Sequence, residues 1–215
     1  MNAAVVYVHG LWLSGHEAFM LRRRLEKDRG YEWHAFNYAS TLLTMGEIAD
    51  ALHGMISAVE APVVHLVGHS LGGLAILRCL ERHPQQPPGR VVFMGTPSLT
   101  SRAANAVGRF RFGRAILGQA ATEELLYAHV RSWPHGRELG IIAGNQSFSL
   151  GRLLVDFDEA NDGTVAVSET RLPGARAHIV LPVSHSGMLL SARVAHEVGQ
   201  FLEFGHFGAA PAPAG

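Results

Sequence analysis

Pro62-Val63-Val64-His65-Leu66-Val67-Gly68-His69-Ser70-Leu71-Gly72-Gly73-Leu74-Ala75-Ile76-Leu77 holds both periodicities from which the rest of the chain can be read. Residues 62–67 are almost entirely β-branched or apolar and have the length of a buried strand, whereas from Leu71 the apolar residues recur at helical spacing as far as Arg82. Between the two lies Gly68-His69-Ser70-Leu71-Gly72, a G-x-S-x-G turn. Placed between a strand and a helix, such a turn forms a nucleophile elbow: glycines allow the sharp reversal and the serine Oγ stands exposed above the sheet. With 24 Gly and 13 Ser in 215 residues, chance alone supplies roughly 0.15 copies of the pattern. The strand-to-helix setting therefore carries the reading, against the alternative of a Gly-rich turn shaped only for packing.

Outward from this unit the same rhythm repeats. Strands are predicted at 4–8, 32–38, 62–67, 90–94, 139–143 and 178–181, and helices at 16–29, 45–60, 71–82, 122–130 and 188–204. Alternation of short β-rich runs with longer helical patterns is the mark of βαβ units around a parallel sheet. The chain is thus expected to be one doubly wound α/β domain over residues 1–207, with helices on both faces of about six strands. Residues 99–121 form a longer connection than a crossover helix needs, expected to act as a small lid or pocket wall. Residues 208–215, rich in Ala and Pro, are expected to be a flexible tail.

Composition narrows the function. Hydrophobic residues make up 47% of the chain and charged ones 17%, which excludes intrinsic disorder. Eighteen basic and eighteen acidic residues cancel, so nothing attracts a polyanion and nucleic-acid binding is not expected. The neutrality is uneven, since 82–122 contains Arg82, Arg90, Arg102, Arg109, Arg111 and Arg114 and no acidic residue. Arg109-Phe110-Arg111-Phe112 reads either as a solvated helix face, the favoured reading, or as a surface for an anionic substrate or lipid head group. The lone Cys79 lies in an apolar run and is expected to be a core residue. Met1 to Gly10 carries no basic, signal-like region and no run is long enough to span a bilayer, so a cytoplasmic protein is expected, with peripheral membrane contact left open. Metal-binding spacings and nucleotide-binding loops do not occur in the sequence, so no cofactor or metal is expected.

A serine hydroxyl needs a base, and the base an orienting carboxylate. Among thirteen histidines, His185 sits just past the last strand, where a loop at a strand's carboxyl end faces the same crevice as Ser70. His178 falls within that strand, and His196 and His206 in or beyond the last helix. For the carboxylate, the turn Asn161-Asp162-Gly163 offers Asp162, with Asp156 and Asp158 as rivals and a plain Asx turn as the alternative role. Oxyanion donors are expected from the backbone N–H of Leu71, directly after Ser70, and of Leu11, in the loop Val8-His9-Gly10-Leu11-Trp12. Trp12, Leu13, His69 and Leu99 are expected around the substrate pocket, and His9 is expected to orient the oxyanion loop.

Taken together, His9-Gly10-Leu11-Trp12, Gly68-His69-Ser70-Leu71-Gly72-Gly73, Gly95-Thr96-Pro97, Asn161-Asp162-Gly163-Thr164-Val165 and Val183-Ser184-His185-Ser186-Gly187-Met188-Leu189 resemble the α/β-hydrolase superfamily, in its bacterial lipase and esterase branch. Similar lipases carry an N-D-G turn twenty-odd residues before the catalytic histidine, and the step from Asp162 to His185 is 23, which favours Asp162. The resemblance implies an α/β-hydrolase sheet without the family's first two strands, in the order two, one, three, four, five, six. It further implies a serine hydrolase acting on a small-molecule or lipid ester through an acyl-enzyme. Thioesterases and acyltransferases share the same triad, and a binding protein without turnover is the reading from another class.

Overall fold

A computed structural model describes residues 3–98, 113–125, 132–133, 136–147 and 159–208. Strands β1 (Ala3–Val8), β2 (Glu32–Phe36), β3 (Val63–His69), β4 (Val91–Met94), β5 (Leu139–Gly144) and β6 (Ala177–Leu181) form one sheet in the order β2-β1-β3-β4-β5-β6. Every neighbouring pair is parallel. This is the expected α/β-hydrolase order. Alternate residues of each strand feed opposite faces: Val6, Val8, Val64, Leu66, Val91, Phe93, Leu139 and Ile141 pack on one side. Val5, Tyr7, Val67, Val92, Met94 and Ile142 pack on the other. A strand buried on both faces has to be apolar throughout, which is why these runs show no polar alternation.

Helices α2 (Met45–Ala58), α3 (Leu71–Arg82) and α4 (Gly113–Leu125) lie on the first side, and α1 (Phe19–Arg29) and α5 (Ala192–Phe204) cover the second. Local chemistry sets their ends. Thr44 and Glu47 close a reciprocal capping box at the start of α2. Ser191 caps α5 by accepting from the Val194 N–H, so the predicted helix from 188 begins at Ala192 and Gly187–Leu189 forms a separate 3₁₀ turn. Cys79 is buried in α3 and its thiol is pushed up to about 12 by burial.

Several further boundaries differ from the sequence expectation, among them the start of α1 at Phe19 after a 3₁₀ turn at His16–Ala18, and three differ for a visible reason. β2 stops at Phe36 and not at residue 38, because the Tyr38 N–H turns away to the His9 ring. β3 extends two residues beyond the expected end, through Gly68 and His69, whose partners are Phe93 and Met94 of β4. The helix predicted at 122–130 starts at Gly113, with a kink at Gly118 (φ 76°). A Cβ at Gly118 would stand 2.4 Å from the Thr41 Cα, so close approach to that loop interrupts the apolar period. Residues 126–130 of that prediction, 99–112 of the expected lid and 209–215 of the tail lie outside the described residues. Among the described residues no helix is long and apolar enough to cross a membrane.

Candidate active site

β3 delivers Ser70 at the carboxyl edge of the sheet with φ 54° and ψ −124°. A positive φ in a residue carrying a Cβ costs on the order of 1–3 kcal/mol and persists only where its surroundings enforce it. Here the Ser70 N–H donates to the Met94 carbonyl (2.9 Å) and the Gly73 N–H to the Ser70 carbonyl (3.1 Å). Ser70 occupies the N-cap position of α3, yet its hydroxyl does not cap the helix, which keeps Oγ off the helix amides. The tight turn requires glycine at one step above all: a Cβ on Gly72 would lie 2.1 Å from the Val8 carbonyl oxygen.

The loops after β5 and β6 meet beside this elbow. His185 Nδ1 lies 2.7 Å from Asp162 Oδ2, and both residues are buried. The ionised carboxylate only accepts, so Nδ1 donates and Nε2 is left as the basic nitrogen. Asp162 Oδ1 accepts from the Thr164 N–H (2.9 Å) and the Val165 N–H (2.7 Å). The Asx turn and the imidazole partner are thus compatible roles, one for each oxygen. The main chain repeats the link, with the His185 N–H donating to the Asp162 carbonyl at 2.9 Å. Gly95, at φ 57° just past β4, presses on the pair: a Cβ there would stand 3.0 Å from His185 Nδ1 and 3.1 Å from Asp162 Oδ2.

The loop after β1 packs on the elbow from the other side, and a Cβ on Gly10 would meet the Ser70 Cβ at 3.0 Å. The Leu13 N–H reaches back to the Gly10 carbonyl (3.4 Å), so Leu11 and Trp12 occupy the corners of a turn. Trp12 adopts φ 61° there and is 62% exposed, with its N–H on Ser40 Oγ at 3.1 Å. Leu71 is the first residue of α3, where the amides have no intrahelical carbonyl to use. Leu13 is half-buried.

His9 lies wholly buried beneath this loop, stacked on Tyr38 with ring centroids 4.2 Å apart. His9 Nε2 accepts the Tyr38 N–H (3.3 Å), which leaves Nδ1–H to donate to the Gly10 carbonyl (2.7 Å). The Tyr38 hydroxyl in turn donates to the His9 carbonyl at 2.7 Å. Burial lowers the His9 pKa and raises that of Tyr38. Glu17 extends the network, accepting from the Ser14 and Gly15 N–H groups and from the Tyr7 hydroxyl. Tyr38, Ser40 and Glu17 went unnoticed in the sequence, where none of them belongs to a motif.

The remaining expected residues fall as follows. His69 is buried at the end of β3 with its ring against His185, behind the Asp162 pair and away from open solvent. His178 lies in β6, bonded to Thr170. Leu99, Asp156, Asp158, Arg102, Arg109 and Arg111 lie outside the described residues. Of the basic stretch, Arg82 pairs with Asp50 (2.8 Å), and Arg90 with Glu138 (2.5 Å) and with the carbonyls of Leu202 and Glu203. Among the described residues no group of three His, Cys, Asp or Glu side chains could hold a metal ion.

Several solved structures share this architecture. The mature lipase BlEst2 of Bacillus licheniformis superposes with a TM-score of 0.77 over 96% of this chain and 93% of its own, at 19% identity. The carboxylesterase CesB of Bacillus subtilis gives 0.61 over 96% and 85%, at 12% identity. The RedJ thioesterase of the prodiginine biosynthetic pathway in Streptomyces coelicolor gives 0.60 over 92% and 85%, also at 12%. No curated protein matches the sequence. The match to a family is direct, however: residues 5–182, from β1 through the end of β6, fit the alpha/beta hydrolase family, and the chain belongs to it.

Proposed function

We propose that this chain is a serine hydrolase of carboxylic esters, esterase- or lipase-like, working through an acyl-enzyme. One observation carries the reading: a buried His185–Asp162 pair beside a serine held at positive φ at the end of β3. Ser70 Oγ attacks the ester carbonyl as His185 Nε2 takes its proton. Asp162 holds the imidazole in the Nδ1–H tautomer and stabilises the imidazolium. The N–H groups of Leu11 and Leu71 receive the oxyanion, a service worth about 10²–10³ in rate for one donor. His185 then returns the proton to the leaving alcohol, and water activated by the same nitrogen releases the acid from Ser70. Nothing in this sequence of steps calls on a cofactor.

The substrate class follows from the same chemistry: an acyl ester whose carbonyl can reach the edge of the sheet, in a small molecule or a lipid. The test is labelling by a fluorophosphonate reagent together with turnover of a p-nitrophenyl ester series of increasing chain length, with an acyl thioester arm alongside. Ser70→Ala is expected to lose both label and turnover. Retention of turnover in that variant refutes the assignment, and turnover confined to the thioester arm refutes the ester preference.

A further inference from the structure

The base is tethered at three atoms. Asp162 holds two of them, the His185 N–H through its main-chain carbonyl and Nδ1 through its carboxylate. The third, the His185 carbonyl oxygen, lies 3.1 Å from His69 Nε2, with the ring centroids 4.7 Å apart. His69 directly precedes Ser70 on β3 and is 2% exposed. We propose that His69 is a positioning residue that ties the His185 loop to the strand carrying Ser70 and thereby sets the distance between base and nucleophile; the proposal rests on the serine-hydrolase reading above.

The argument is one of tautomer and leverage. A carbonyl only accepts, so Nε2 carries the His69 proton and Nδ1 is left as a lone pair. That nitrogen has no hydrogen-bond partner among the described residues, and it faces Gly10 of the oxyanion loop, 3.4 Å from where a Cβ there would stand. Burial and the neighbouring His185 push the His69 pKa down to about 3, so the ring stays a neutral donor around neutral pH. Asp162 fixes the base relative to the β5 loop. Among the described residues, the His69 contact joins the base to β3, one residue from Ser70. Proton transfer requires heavy atoms within about 2.6–3.2 Å, and a misplacement of about 1 Å can cost about 10²-fold. A single hydrogen bond at this point therefore weighs on rate far more than on substrate binding.

Two substitutions separate the donor from the bulk of the ring. His69→Phe keeps the aromatic volume and deletes Nε2–H, whereas His69→Gln places an amide N–H near the Nε2 position. His69→Asn reaches only the Nδ1 position. With a short soluble p-nitrophenyl ester, His69→Phe is expected to lower kcat about 10- to 100-fold with KM within twofold. His69→Gln is expected to recover most of the loss and His69→Asn little of it. Equal kcat in wild type and His69→Phe, or equal losses in the Gln and Asn variants, overturns the proposal. The Gln and Asn comparison decides the matter alone where the Phe variant does not fold. A readout independent of turnover is the proton NMR signal of His185 Nδ1–H in its bond to Asp162. It is expected sharp in wild type and His69→Gln, and broadened in His69→Asn. An unchanged signal in His69→Asn overturns the tether, whereas an unlabelled Ser70 with the tether intact overturns only the hydrolase reading.

Discussion

Asp162→Asn isolates what the carboxylate does, because the structure dictates which way the new amide must face. Asp162 Oδ1 accepts two backbone N–H groups, from Thr164 at 2.9 Å and Val165 at 2.7 Å. Only the carbonyl oxygen of asparagine can take that place, since an NH₂ group there would point donors at donors. The amide nitrogen is then forced to the Oδ2 position, 2.7 Å from His185 Nδ1, where it donates and requires Nδ1 to accept. The imidazole proton moves to Nε2, and the nitrogen that the proposed mechanism assigns to Ser70 loses its lone pair. A wrong tautomer at this position costs about 10⁴-fold in rate in the well-studied triad, or about 5.5 kcal/mol of barrier. The fold should hardly notice, because the turn keeps both N–H bonds.

Asp162→Ala provides the contrast. It leaves two N–H groups in a buried turn without their acceptor, at about 1–3 kcal/mol each, besides losing the imidazole partner. The assay is kcat/KM for a soluble ester between pH 6 and 9, with thermal unfolding in parallel. The expected pattern is Asn slow by about 10³–10⁴ with Tm near wild type, and Ala slow with Tm clearly lower. An Asn variant within about tenfold of wild type refutes the assignment of Asp162 as orienting carboxylate.

Other perturbations probe the surroundings. Gly95→Ala would force a Cβ at φ 57° to within 3.0 Å of His185 Nδ1; a loss of about 1–2 kcal/mol and of at least about tenfold in kcat is expected, and unchanged kcat and Tm would count against the packing described. Tyr38→Phe removes the hydroxyl that holds the His9 carbonyl at 2.7 Å, so unfolding by urea should report about 1 kcal/mol less stability and, if this bond steadies the loop that carries Leu11, kcat should fall with KM unmoved; a change in KM with kcat unmoved would refute that link. Stability should also drop in mild acid. His65, buried and flanked by Arg90 and Arg137, has its pKa lowered to about 4. The folded state then refuses a proton that the unfolded chain binds below about pH 6.5, so stability is full above that pH and is lost as the pH falls towards 4. The loss is about 3 kcal/mol from this residue by pH 4. Unfolding midpoints between pH 4 and 7 should slope less steeply in His65→Asn, and an identical slope would refute the account.

Legibility in the sequence followed the range of the interaction. The inner strands could be read because burial on both faces demands apolar runs, and such runs are local, whereas the strand order came from the resemblance to the α/β-hydrolase superfamily. Ser70 could be read because the elbow needs small residues within five positions, and the structure shows why: the backbone at Gly72 touches Val8. Asp162 owed its visibility to the turn it caps, since Thr164 and Val165 lie two and three residues away. The end of β2 was misjudged because what stops the strand is the His9 ring, 29 residues earlier in the chain. The start of α4 was misjudged because the kink at Gly118 answers to the Thr41 backbone.

The supporting network marks the limit most clearly. Tyr38, Ser40 and Glu17 hold the segment from His9 to Gly15, at His9, Trp12 and Ser14–Gly15 respectively, through contacts that any tyrosine, serine or glutamate in a loop could make or omit, so composition gives no hint of them. His69 is the instructive intermediate case. As the residue inside G-x-S-x-G its position was plain, and the natural expectation for a residue beside the nucleophile was a pocket wall. Strand pairing adds an interior role. The elbow exposes Ser70 by turning the backbone after β3, whereas His69 is still in register with Met94, so its ring is buried on the side of the β6 loop. The alternation that lifts one residue towards substrate commits the preceding one to the interior. An imidazole committed to the interior needs a hydrogen-bond partner, and the His185 carbonyl supplies it. The contact between His69 and the His185 loop is thus a consequence of where the elbow falls in the pleat, and under the proposed mechanism a polar donor at that step would serve the site from the interior.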